Sequence, residues 1–477
     1  MGVFAPGEDV ARLTFFGLHS LQHRGQESAG IATADIGAPG AQLHRFAEMG
    51  LVTQIFHEEV LQGLGGGTHA IGHTRYSTTG SSHEMNMQPL VVTGPHGDLA
   101  LAHNGNVVNA DLLRADLEES GVEFATGTDS EVIAQMIAHA PGATWEERFT
   151  YAMRRANGAY SLTVLTRDAL FGVRDPLGIR PLCLGRLGSG WVLASETCAL
   201  DTLGAELVRE LEPGEVVRID ESGPQWWSSG AQPDGERTSA LCLLEHIYFA
   251  RPDSRLQGEL LYAVRMRMGA QLAREHPAEA DMVIGIPDSA TAAAVGYAHE
   301  SGIPYAEGLV KNRYVGRTFI QPDQRLRERG VELKFNPLPE LLEGRRVVVV
   351  DDTIVRGTTT PRVVAMLRKG GAAEVHMRIT SPPITHPCFY GVDMATRGEL
   401  IATHLDIEQI REHVGADSLG YLSLAGTVLA TGQTEDRLCT ACFSGQYPSA
   451  VPLQLDKLAL EGVGSRDRHG VPVRAVT

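Results

Sequence analysis

Hydrophobic and polar positions follow different patterns in the two parts of the chain. Up to about residue 225, short β-rich runs alternate with turn signals and a few helical segments. Small and apolar residues with helical spacing predict a helix over 8–21. These residues are Val10, Leu13, Gly17 and Leu21. The predicted strands are 70–73, 160–165 and 191–195. This part is therefore predicted to be an α+β domain with many antiparallel connections.

A second helix is predicted to begin near Thr128. Thr128 and Glu131 have the spacing of a capping box, in which each side chain accepts a hydrogen bond from the other residue's backbone N–H. The apolar residues that follow are Val132, Ile133, Met136 and Ile137.

The pattern changes after a polar stretch, 228–239, which contains Gly and Ser, offers no apolar face and is predicted to be a linker. Beyond it, helical segments alternate with continuous apolar strands at 281–286 and 346–350. Such strands are typical of a parallel sheet covered on both faces. The predicted units are a first domain, 1–228, a second domain, 240–445, and a C-terminal tail, 446–477, partly disordered after Gly462.

Charge narrows the possible partners. The 477 residues include 58 acidic and 41 basic side chains, for a formal charge of -17, which opposes binding to nucleic acid or anionic lipid. The start of the chain lacks the pattern of a signal peptide, and no apolar run is long enough for a membrane span. We therefore expect a cytoplasmic enzyme without a nucleic-acid or membrane partner.

The most informative segment follows the strand at 346–350. Asp351 and Asp352 end this strand, and the Gly- and Thr-containing run 353–360 leads into a helix that Pro361 can open, because its fixed φ suits the first turn. In open α/β sheets, ligands bind at the carboxyl ends of the strands. Loop N–H groups favour a phosphate there, and carboxylates can hold ribose hydroxyls or Mg²⁺. A lone Asp-Asp pair would more often be a solvated strand end, but the full pattern favours a phosphate site.

A basic segment lies between the two apolar strands. Its basic residues stand among polar residues and glycines, which predicts a lid that closes over an anionic substrate and excludes water. A solvated surface loop is the alternative. The predicted lid residues are Lys311, Arg313, Tyr314, Arg317 and Lys334.

The segment 347–361 resembles the signature of type I phosphoribosyltransferases, which have an α/β fold with a parallel sheet and bind phosphoribosyl pyrophosphate with Mg²⁺. The resemblance implies that Asp351 and Asp352 contact the ribose and that the following loop surrounds the 5-phosphate. The implied loop residues are Thr353, Arg356, Gly357, Thr358 and Thr359. The run 286–290 resembles the pyrophosphate loop of that family, and Ser289 would reach the Mg²⁺ together with Asp351 and Asp352.

Two further strings, 244–254 and 415–424, are similar to segments of glutamine phosphoribosylpyrophosphate amidotransferases. Four of the six cysteines match in number the ligands of an iron–sulfur cluster or a structural zinc, although two of them could be buried apolar residues beside an unrelated CxxC pair. The four are Cys242, Cys388, Cys439 and Cys442. Resemblance to the cluster-bearing branch of the family implies a structural, oxygen-sensitive 4Fe-4S cluster. Cys183 and Cys198 are interpreted as packing residues.

Four motifs of the first domain, at 21–31, 72–78, 103–106 and 128–131, resemble the glutaminase domain of N-terminal-nucleophile (Ntn) amidotransferases, whose layers follow the order α/β/β/α. By this resemblance, Arg75 would pair with the α-carboxylate of glutamine and Asp129 would accept from its α-ammonium group. The Asn104 side chain and the Gly105 N–H would form the oxyanion hole.

The cysteine nucleophile of this class is missing from the sequence. It should stand at the mature amino terminus, where the α-amine is its base, but the first cysteine is Cys183. One register places Met1 at the nucleophile and needs a short deletion. The other aligns Gly2–Val10 with the next family residues and leaves the Cys-bearing start absent, and we prefer it because it needs no gap. A start codon assigned too far downstream is the favoured explanation, since the glutamine-binding residues are all present; a truncated chain or an ammonia-using protein are the alternatives.

The resemblance implies a pentosyltransferase that makes 5-phosphoribosylamine, diphosphate and glutamate from phosphoribosyl pyrophosphate, glutamine and water, at the entry to purine (IMP) synthesis. The chain as written would retain only the ammonia-dependent reaction. The family further implies a homotetramer inhibited by purine nucleotides. One alternative is a catalytically silent protein that senses phosphoribosyl pyrophosphate or purine nucleotides, which the intact Asp351–Asp352 pair opposes. Another is a sugar-phosphate amidotransferase, which the ribose-pyrophosphate signature excludes.

Overall fold

The computed structural model describes residues 1–35, 43–77, 83–231, 237–312, 334–394 and 396–451. The strands of the first part are β1 (Gly2–Phe4), β2 (Ser28–Ala34), β3 (His44–Met49), β4 (His69–Arg75), β5 (Leu90–Gly94), β6 (Gly97–Val107), β7 (Gly158–Thr166), β8 (Leu170–Arg174), β9 (Cys183–Leu187), β10 (Gly190–Ala194), β11 (Glu206–Glu210), β12 (Glu215–Asp220) and β13 (Gly223–Ser228). Its helices are α1 (Val10–Ser20), α2 (Val52–Ile55), α3 (Glu58–Gly63), α4 (Ala110–Glu119), α5 (Asp129–Ala138), α6 (Trp145–Arg155) and α7 (Thr197–Leu203).

The second part continues this numbering. Its strands are β14 (Leu241–Cys242), β15 (Arg255–Leu256), β16 (Glu259–Leu260), β17 (Met282–Gly285), β18 (Leu309–Lys311), β19 (Phe335–Pro337), β20 (Arg346–Asp351), β21 (Glu374–Ile379), β22 (Ser418–Tyr421) and β23 (Leu438–Cys439). Its helices are α8 (Leu261–Glu275), α9 (Thr291–Ser301), α10 (Pro339–Leu342), α11 (Thr360–Lys369), α12 (Ile407–Val414), α13 (Leu424–Thr431) and α14 (Ala441–Ser444), and a π-helical turn spans Glu245–Phe249.

Two antiparallel sheets form the centre of the first domain. One has the order β11-β9-β10-β1-β4-β2-β3 and the other β13-β12-β8-β7-β6-β5. Apolar residues of both sheets, such as Ile71 and Leu165, pack in one buried cluster between them. Helices α1 and α7 pack on the outer face of the first sheet, and α5 and α6 on that of the second. The predicted α/β/β/α layering is therefore confirmed.

The second domain is built on a parallel sheet with the order β17-β20-β21-β22. Val347, Val348, Val349 and Val350 in β20 are all fully buried. Because successive side chains of a strand point to opposite faces, both faces of the sheet are covered. The predicted parallel sheet is confirmed.

Two small sheets connect distant parts of the second domain. β14 pairs in parallel with β23, so that Cys242 lies opposite Cys439. β18 and β19 form an antiparallel pair on either side of the predicted lid. The lid residues between them, including Arg313, Tyr314 and Arg317, and the tail after 451 lie outside the described residues, as does linker segment 232–236.

The predicted capping box at Thr128 is half correct. Helix α5 begins at Asp129, and Thr128 Oγ1 accepts a hydrogen bond from Glu131 N at 3.3 Å. The Glu131 carboxylate instead accepts from Ala125 N and Thr126 N, at 2.8 and 2.5 Å, because the preceding turn presents two N–H groups to it. Glu131 therefore fixes the loop before α5 rather than the cap residue.

The predicted helix over 8–21 is confirmed as α1, with Asp9 as its cap. The three predicted strands correspond to β4, β7 and β10. Within the described ranges, no helix combines the length and the apolar character that crossing a bilayer demands.

Candidate active site

A pocket of about 90 Å³ in the first domain brings together all four residues predicted to handle glutamine. Arg75 is the last residue of β4, Asn104 and Gly105 lie within β6, and Asp129 is the first residue of α5. Three separate elements thus end at, or pass through, one cavity. Phe249, Gly391 and Asp393 of the second domain also line it.

The strand β6 presents an unused hydrogen-bond donor to this pocket. The side-chain nitrogen of Asn104, Nδ2, is buried and has no hydrogen-bond partner among the described residues. Gly105 has a φ of +150°, and a Cβ at this position would lie 2.0 Å from Ala159 O of β7. Only glycine therefore fits at position 105, beside a donor that a ligand carbonyl oxygen can use.

Arg75 and Asp129 place opposite charges in the same pocket. Both are almost fully buried, at 3% exposure each. Arg75 Nη1 lies 3.6 Å from a Glu27 carboxylate oxygen, and Asp129 Oδ2 accepts a hydrogen bond from Val107 N at 3.0 Å. A zwitterionic amino acid offers the complementary pair of charges.

Three linked polar residues, one in β6 and two beside it, were not predicted as part of the site. His103 donates its backbone N–H to Gln88 Oε1 at 2.7 Å, and Gln88 Nε2 donates to Ser130 Oγ at 3.0 Å. His103 Nδ1 lies 3.1 Å from the same Ser130 oxygen. Burial lowers the pKa of His103, which keeps its ring neutral at physiological pH. These contacts fix β6 against α5. His103 belongs to a recognised motif, but Gln88 carries no sequence signal of its own.

Met1 also lines the pocket. Its ammonium group donates to Gly72 O at 2.7 Å, and burial lowers the pKa of this group to about 5. Its thioether packs on α1, where a Cβ at Gly17 would meet Met1 Cε at 2.2 Å. In the described structure no cysteine lines this cavity.

A buried ionic network joins the two domains next to the pocket. Arg24 pairs with Glu196 and, through Nη2, with Glu245 Oε2 at 2.6 Å. Arg180 Nη1 lies 3.0 Å from Glu245 Oε1, and Glu245 is fully buried. Burial acts to raise the pKa of Glu245, but the two arginines outweigh it and hold the pKa below its ordinary value. Both Arg24 and Arg180 line the pocket, so the network positions its wall.

At the second predicted site, Asp351 and Asp352 lie at the carboxyl end of β20. The neighbouring strand β17 ends at the same edge, where Ile286 N donates to Val350 O at 2.9 Å and the loop that contains Ser289 begins. Asp352 N donates to Asp351 Oδ1, and Thr353 Oγ1 donates to Asp352 Oδ2 at 2.8 Å. Burial and the adjacent Asp352 carboxylate raise the pKa of Asp351 well above its ordinary value. Two close carboxylates without a cation are a costly arrangement that a divalent ion would relieve.

The loop after Asp352 is held by contacts with the rest of the domain. Gly357 has a φ of +67°, and a Cβ there would lie 2.4 Å from Ile401 Cδ1. Its carbonyl oxygen lies 3.1 Å from His413 Nε2. Thr358 and Thr359 are exposed and leave their side chains accessible at the start of α11. Arg356 pairs with Glu399, with Nε to Oε2 at 2.9 Å, rather than with another residue of the loop.

The described ends of the predicted lid lie beside this site. Lys311 Nζ donates to Asp288 Oδ2 at 2.7 Å, which connects the lid to the loop that contains Ser289. Asn312 N donates to Lys334 O at 2.8 Å and continues the pairing of β18 with β19. The Lys334 charge acts to lower the pKa of Asp351, which places this lysine in the field of the carboxylate pair.

Cysteines from three separate segments come together near the domain junction. Cys242 and Cys439 face each other on paired strands, Cys442 lies in α14, and Cys442 O accepts from Thr385 N and His386 N, shortly before Cys388. Burial raises the pKa of the Cys442 thiol, and the other three cysteines raise it further. Among the residues that the structure describes, no group of three or more His, Cys, Asp or Glu side chains forms a site for a single metal ion. Cys183 and Cys198 are buried in the first domain.

Comparison with known proteins identifies both halves. A glutamine amidotransferase domain model matches residues 73–202, and a phosphoribosyl transferase domain model matches residues 255–380. The amidophosphoribosyltransferase of Synechococcus elongatus is 52% identical over 469 residues, which cover 97% of this chain and 93% of that protein. The chain belongs to the amidophosphoribosyltransferase family. The enzyme of this name from Synechocystis sp. is 53% identical over 470 residues, again covering 97% of this chain and 93% of the relative.

Solved structures of the family have the same fold as this chain. The glutamine phosphoribosylpyrophosphate amidotransferase from B. subtilis, complexed with ADP and GMP, superposes with a TM-score of 0.87 at 44% identity, covering 95% of this chain and 97% of that one. A structure described as the allosteric regulatory enzyme of purine biosynthesis gives 0.88 at 45% identity, with 95% and 96% covered. The predicted activity of a glutamine-linked pentosyltransferase of purine synthesis is therefore confirmed as that of the amidophosphoribosyltransferase family, and the silent sensor is not favoured. The domain boundaries at 228, 240 and 445 stay predictions.

Proposed function

We propose that this chain, as its sequence stands, transfers ammonia rather than glutamine nitrogen to phosphoribosyl pyrophosphate. The observation that carries the proposal is that the chain combines an intact carboxylate edge, Asp351 and Asp352, with a glutamine pocket that, among the described residues, no cysteine lines. Glutamine hydrolysis in this class requires a thiolate next to the oxyanion hole. Cys183 and Cys198 cannot supply it, because both are buried in the apolar cluster of the first domain and neither lines the pocket.

The sugar-phosphate site is assigned to the edge shared by β17 and β20. Asp351 and Asp352 bind the ribose hydroxyls, and the amides and hydroxyls of 353–359 surround the 5-phosphate at the start of α11. Asp351, Asp352 and Ser289 offer the oxygen ligands that Mg²⁺ prefers, and the raised pKa of Asp351 fits a site that becomes favourable when a cation binds. Bound Mg²⁺ supplies charge neutralisation for the departing pyrophosphate. Lys311 and Lys334 stand beside this edge and offer cations to the phosphates of the substrate, and the lid assigned to Arg313, Tyr314 and Arg317 stays a prediction.

In the first domain, Arg75 and Asp129 hold the α-carboxylate and α-ammonium groups of glutamine. Asn104 Nδ2, a buried donor without a partner among the described residues, and Gly105 N receive the amide oxygen. The chain therefore still binds glutamine, although it does not hydrolyse it.

A 4Fe-4S cluster is proposed for Cys242, Cys388, Cys439 and Cys442. Three buried thiols and the partly buried thiol of Cys388, on segments from both ends of the domain, fit a group that prefers several thiolates. Such a group supplies cross-links rather than chemistry at this place. Iron and sulfide analysis of anaerobically purified protein tests it, with Cys388→Ser as the deficient variant and Cys183→Ser as the matched control. Zinc at one equivalent, or no metal in either protein, would overturn the assignment.

Purine nucleotides are proposed as inhibitors and a homotetramer as the assembly. The nucleotide proposal is supported by the B. subtilis enzyme, which was solved as a complex with ADP and GMP and is 44% identical to this chain. Light scattering after gel filtration tests the homotetramer. Inhibition of pyrophosphate release by ADP and GMP tests the nucleotide proposal. A cytoplasmic location stays a prediction.

The principal test is pyrophosphate release from phosphoribosyl pyrophosphate, with Mg²⁺ and either ammonium chloride or glutamine. We expect release with ammonium and none above background with glutamine. Asp352→Asn should abolish the ammonium-dependent reaction, whereas Asp111→Asn on the exposed face of α4 should leave it unchanged. Glutamine-dependent release at a rate comparable to that with ammonium would contradict the proposal.

A further inference from the structure

Residues 389–393 of the second domain, called here the interdomain strap, run along the pocket of the first domain. Four of the five have a direct contact with it or with its neighbours. Phe389 O accepts from Asn106 Nδ2 at 2.9 Å, and Tyr390 O accepts from Arg180 Nε at 3.1 Å; both bonds are buried or nearly so. Asp393 Oδ2 accepts from the Tyr76 hydroxyl at 3.3 Å.

The closest approach is between two glycines. A Cβ built on Gly391 would lie 2.9 Å from both the carbonyl carbon and the carbonyl oxygen of Gly105. These are backbone atoms, which cannot swing aside as a side-chain end can. Gly391 thus sits directly against the residue whose N–H is assigned to the oxyanion hole.

We propose that Gly391 is a positioning residue for the oxyanion hole, and that the interdomain strap sets where Gly105 lies relative to bound glutamine. This inference rests on the proposed glutamine site. Asn106, one residue after Gly105 in β6, is hydrogen-bonded to the strap. The strap therefore contacts β6 at two successive residues. The second domain therefore determines the affinity of the first domain for the amide end of glutamine. The α-carboxylate and α-ammonium contacts come from β4 and α5, whereas the atoms nearest to a Cβ at Gly391 all belong to Gly105 of β6.

The contributions of the α-groups and of the carboxamide to glutamine binding can be measured separately. L-Glutamine has both, whereas L-norvaline keeps the α-groups and the carbon chain but has no γ-carboxamide. Isothermal titration calorimetry of the full chain with each amino acid therefore reports on the oxyanion hole by difference.

Gly391→Ala is the informative variant. Its Cβ must displace Gly105, so the Kd for glutamine should rise about tenfold or more, the loss expected for one hydrogen bond, while that for norvaline stays within about twofold. Gly97→Ala is the matched control, because Gly97 has a φ of +101° against +96° at Gly391 but nothing within 4 Å of its Cβ position. It carries the same backbone strain without the contact and should change neither Kd.

Asn106→Ala provides a second route if Gly391→Ala does not fold, as judged by thermal unfolding and ammonium-dependent pyrophosphate release. It removes the bond to Phe389 and should weaken glutamine selectively, by a smaller factor. Unchanged glutamine affinity in the folded variants, or equal loss of glutamine and norvaline, overturns the role of the strap. If the parent chain itself binds no glutamine, the proposed glutamine site fails instead.

Discussion

Lys311 and Asp288 form an ion pair, with Nζ 2.7 Å from Oδ2, across the mouth of the site at the carboxyl end of β17. Asp288 is mostly exposed, so the pair contributes little to folding. A pyrophosphate group that enters beside Ser289 competes with Asp288 for the same ammonium group. The pair therefore keeps the Lys311 ammonium group at the substrate site before the substrate binds.

Replacing this lysine should weaken substrate binding and leave folding intact. We expect Lys311→Gln to raise the Kd for phosphoribosyl pyrophosphate with Mg²⁺ by about tenfold to a hundredfold, because one charge-assisted hydrogen bond is lost. Calorimetric titration measures this Kd. Lys369→Gln, at the end of α11 and away from this edge, should bind like the parent chain. Equal affinity in both variants would show that Lys311 does not reach the substrate.

An extension of β1 should create a glutaminase. β1 runs antiparallel to β4 with Gly2 opposite Ile71, so the third residue before Met1 would stand opposite Arg75. Adding Cys-Gly-Val before Met1, with the cysteine as the free amino terminus, places a thiol and its α-amine beside Asn104 and Gly105. We expect glutamate release from glutamine, measured by a coupled dehydrogenase assay. The same extension with Ser in place of Cys should lose most of this activity, and an inactive Cys form with an intact amino terminus would refute the register.

The buried network between the domains should be sensitive to the loss of one charge. Glu245→Gln leaves Arg24 and Arg180 without their shared carboxylate, and breaking a buried ion pair in this way costs about 3–5 kcal/mol. A fall in the thermal midpoint, followed by circular dichroism, is the measurement. Glu58→Gln, which breaks an exposed pair with Arg12, should leave the midpoint unchanged. A similar midpoint for both variants would mean that water reaches Glu245.

Asp175 should make stability depend on pH. Burial raises its pKa from 3.8 to about 6, despite hydrogen bonds from Leu177 N and Ile179 N. A carboxyl group whose pKa is higher in the folded state stabilises the protein while both states are protonated, and this stabilisation is lost as pH rises from about 4 to 6. The loss is about 3 kcal/mol over that window. Denaturant titrations between pH 4 and 7 should show a smaller fall for Asp175→Asn than for the parent; parallel profiles would contradict the assignment.

The sequence predicted those features that short-range patterns encode. The continuous valines of β20 and the carboxylates that end it specify both a buried strand and the position of Asp351 at the sheet edge. Likewise, Arg75, Asn104, Gly105 and Asp129 stand in motifs, and the structure brings all four to one pocket.

Contacts between distant segments could not be predicted in this way. Gly391 and Gly105 are far apart in the chain, and a glycine carries no sign of which backbone approaches it. Glu245 was part of a recognised string, but its charge is balanced by Arg24 and Arg180, which come from two other segments. The Glu131 carboxylate shows that short-range contacts can also escape prediction. It accepts from two N–H groups of the turn before α5 instead of from the N–H of the predicted cap residue.

The parallel pairing of β14 with β23 brings the first and last strands of the second domain side by side. The chain thus enters this domain beside its last strand, and after α14 it contacts the first domain, where Asn157 Nδ2 donates to Ala450 O at 2.8 Å. Neighbouring ends are the condition under which circular permutation is tolerated. The second domain is accordingly suited to circular permutation: it can be opened at a distant surface turn and its old ends, before Leu241 and after Ser444, joined by a short peptide, which keeps its strand order and all four cysteines.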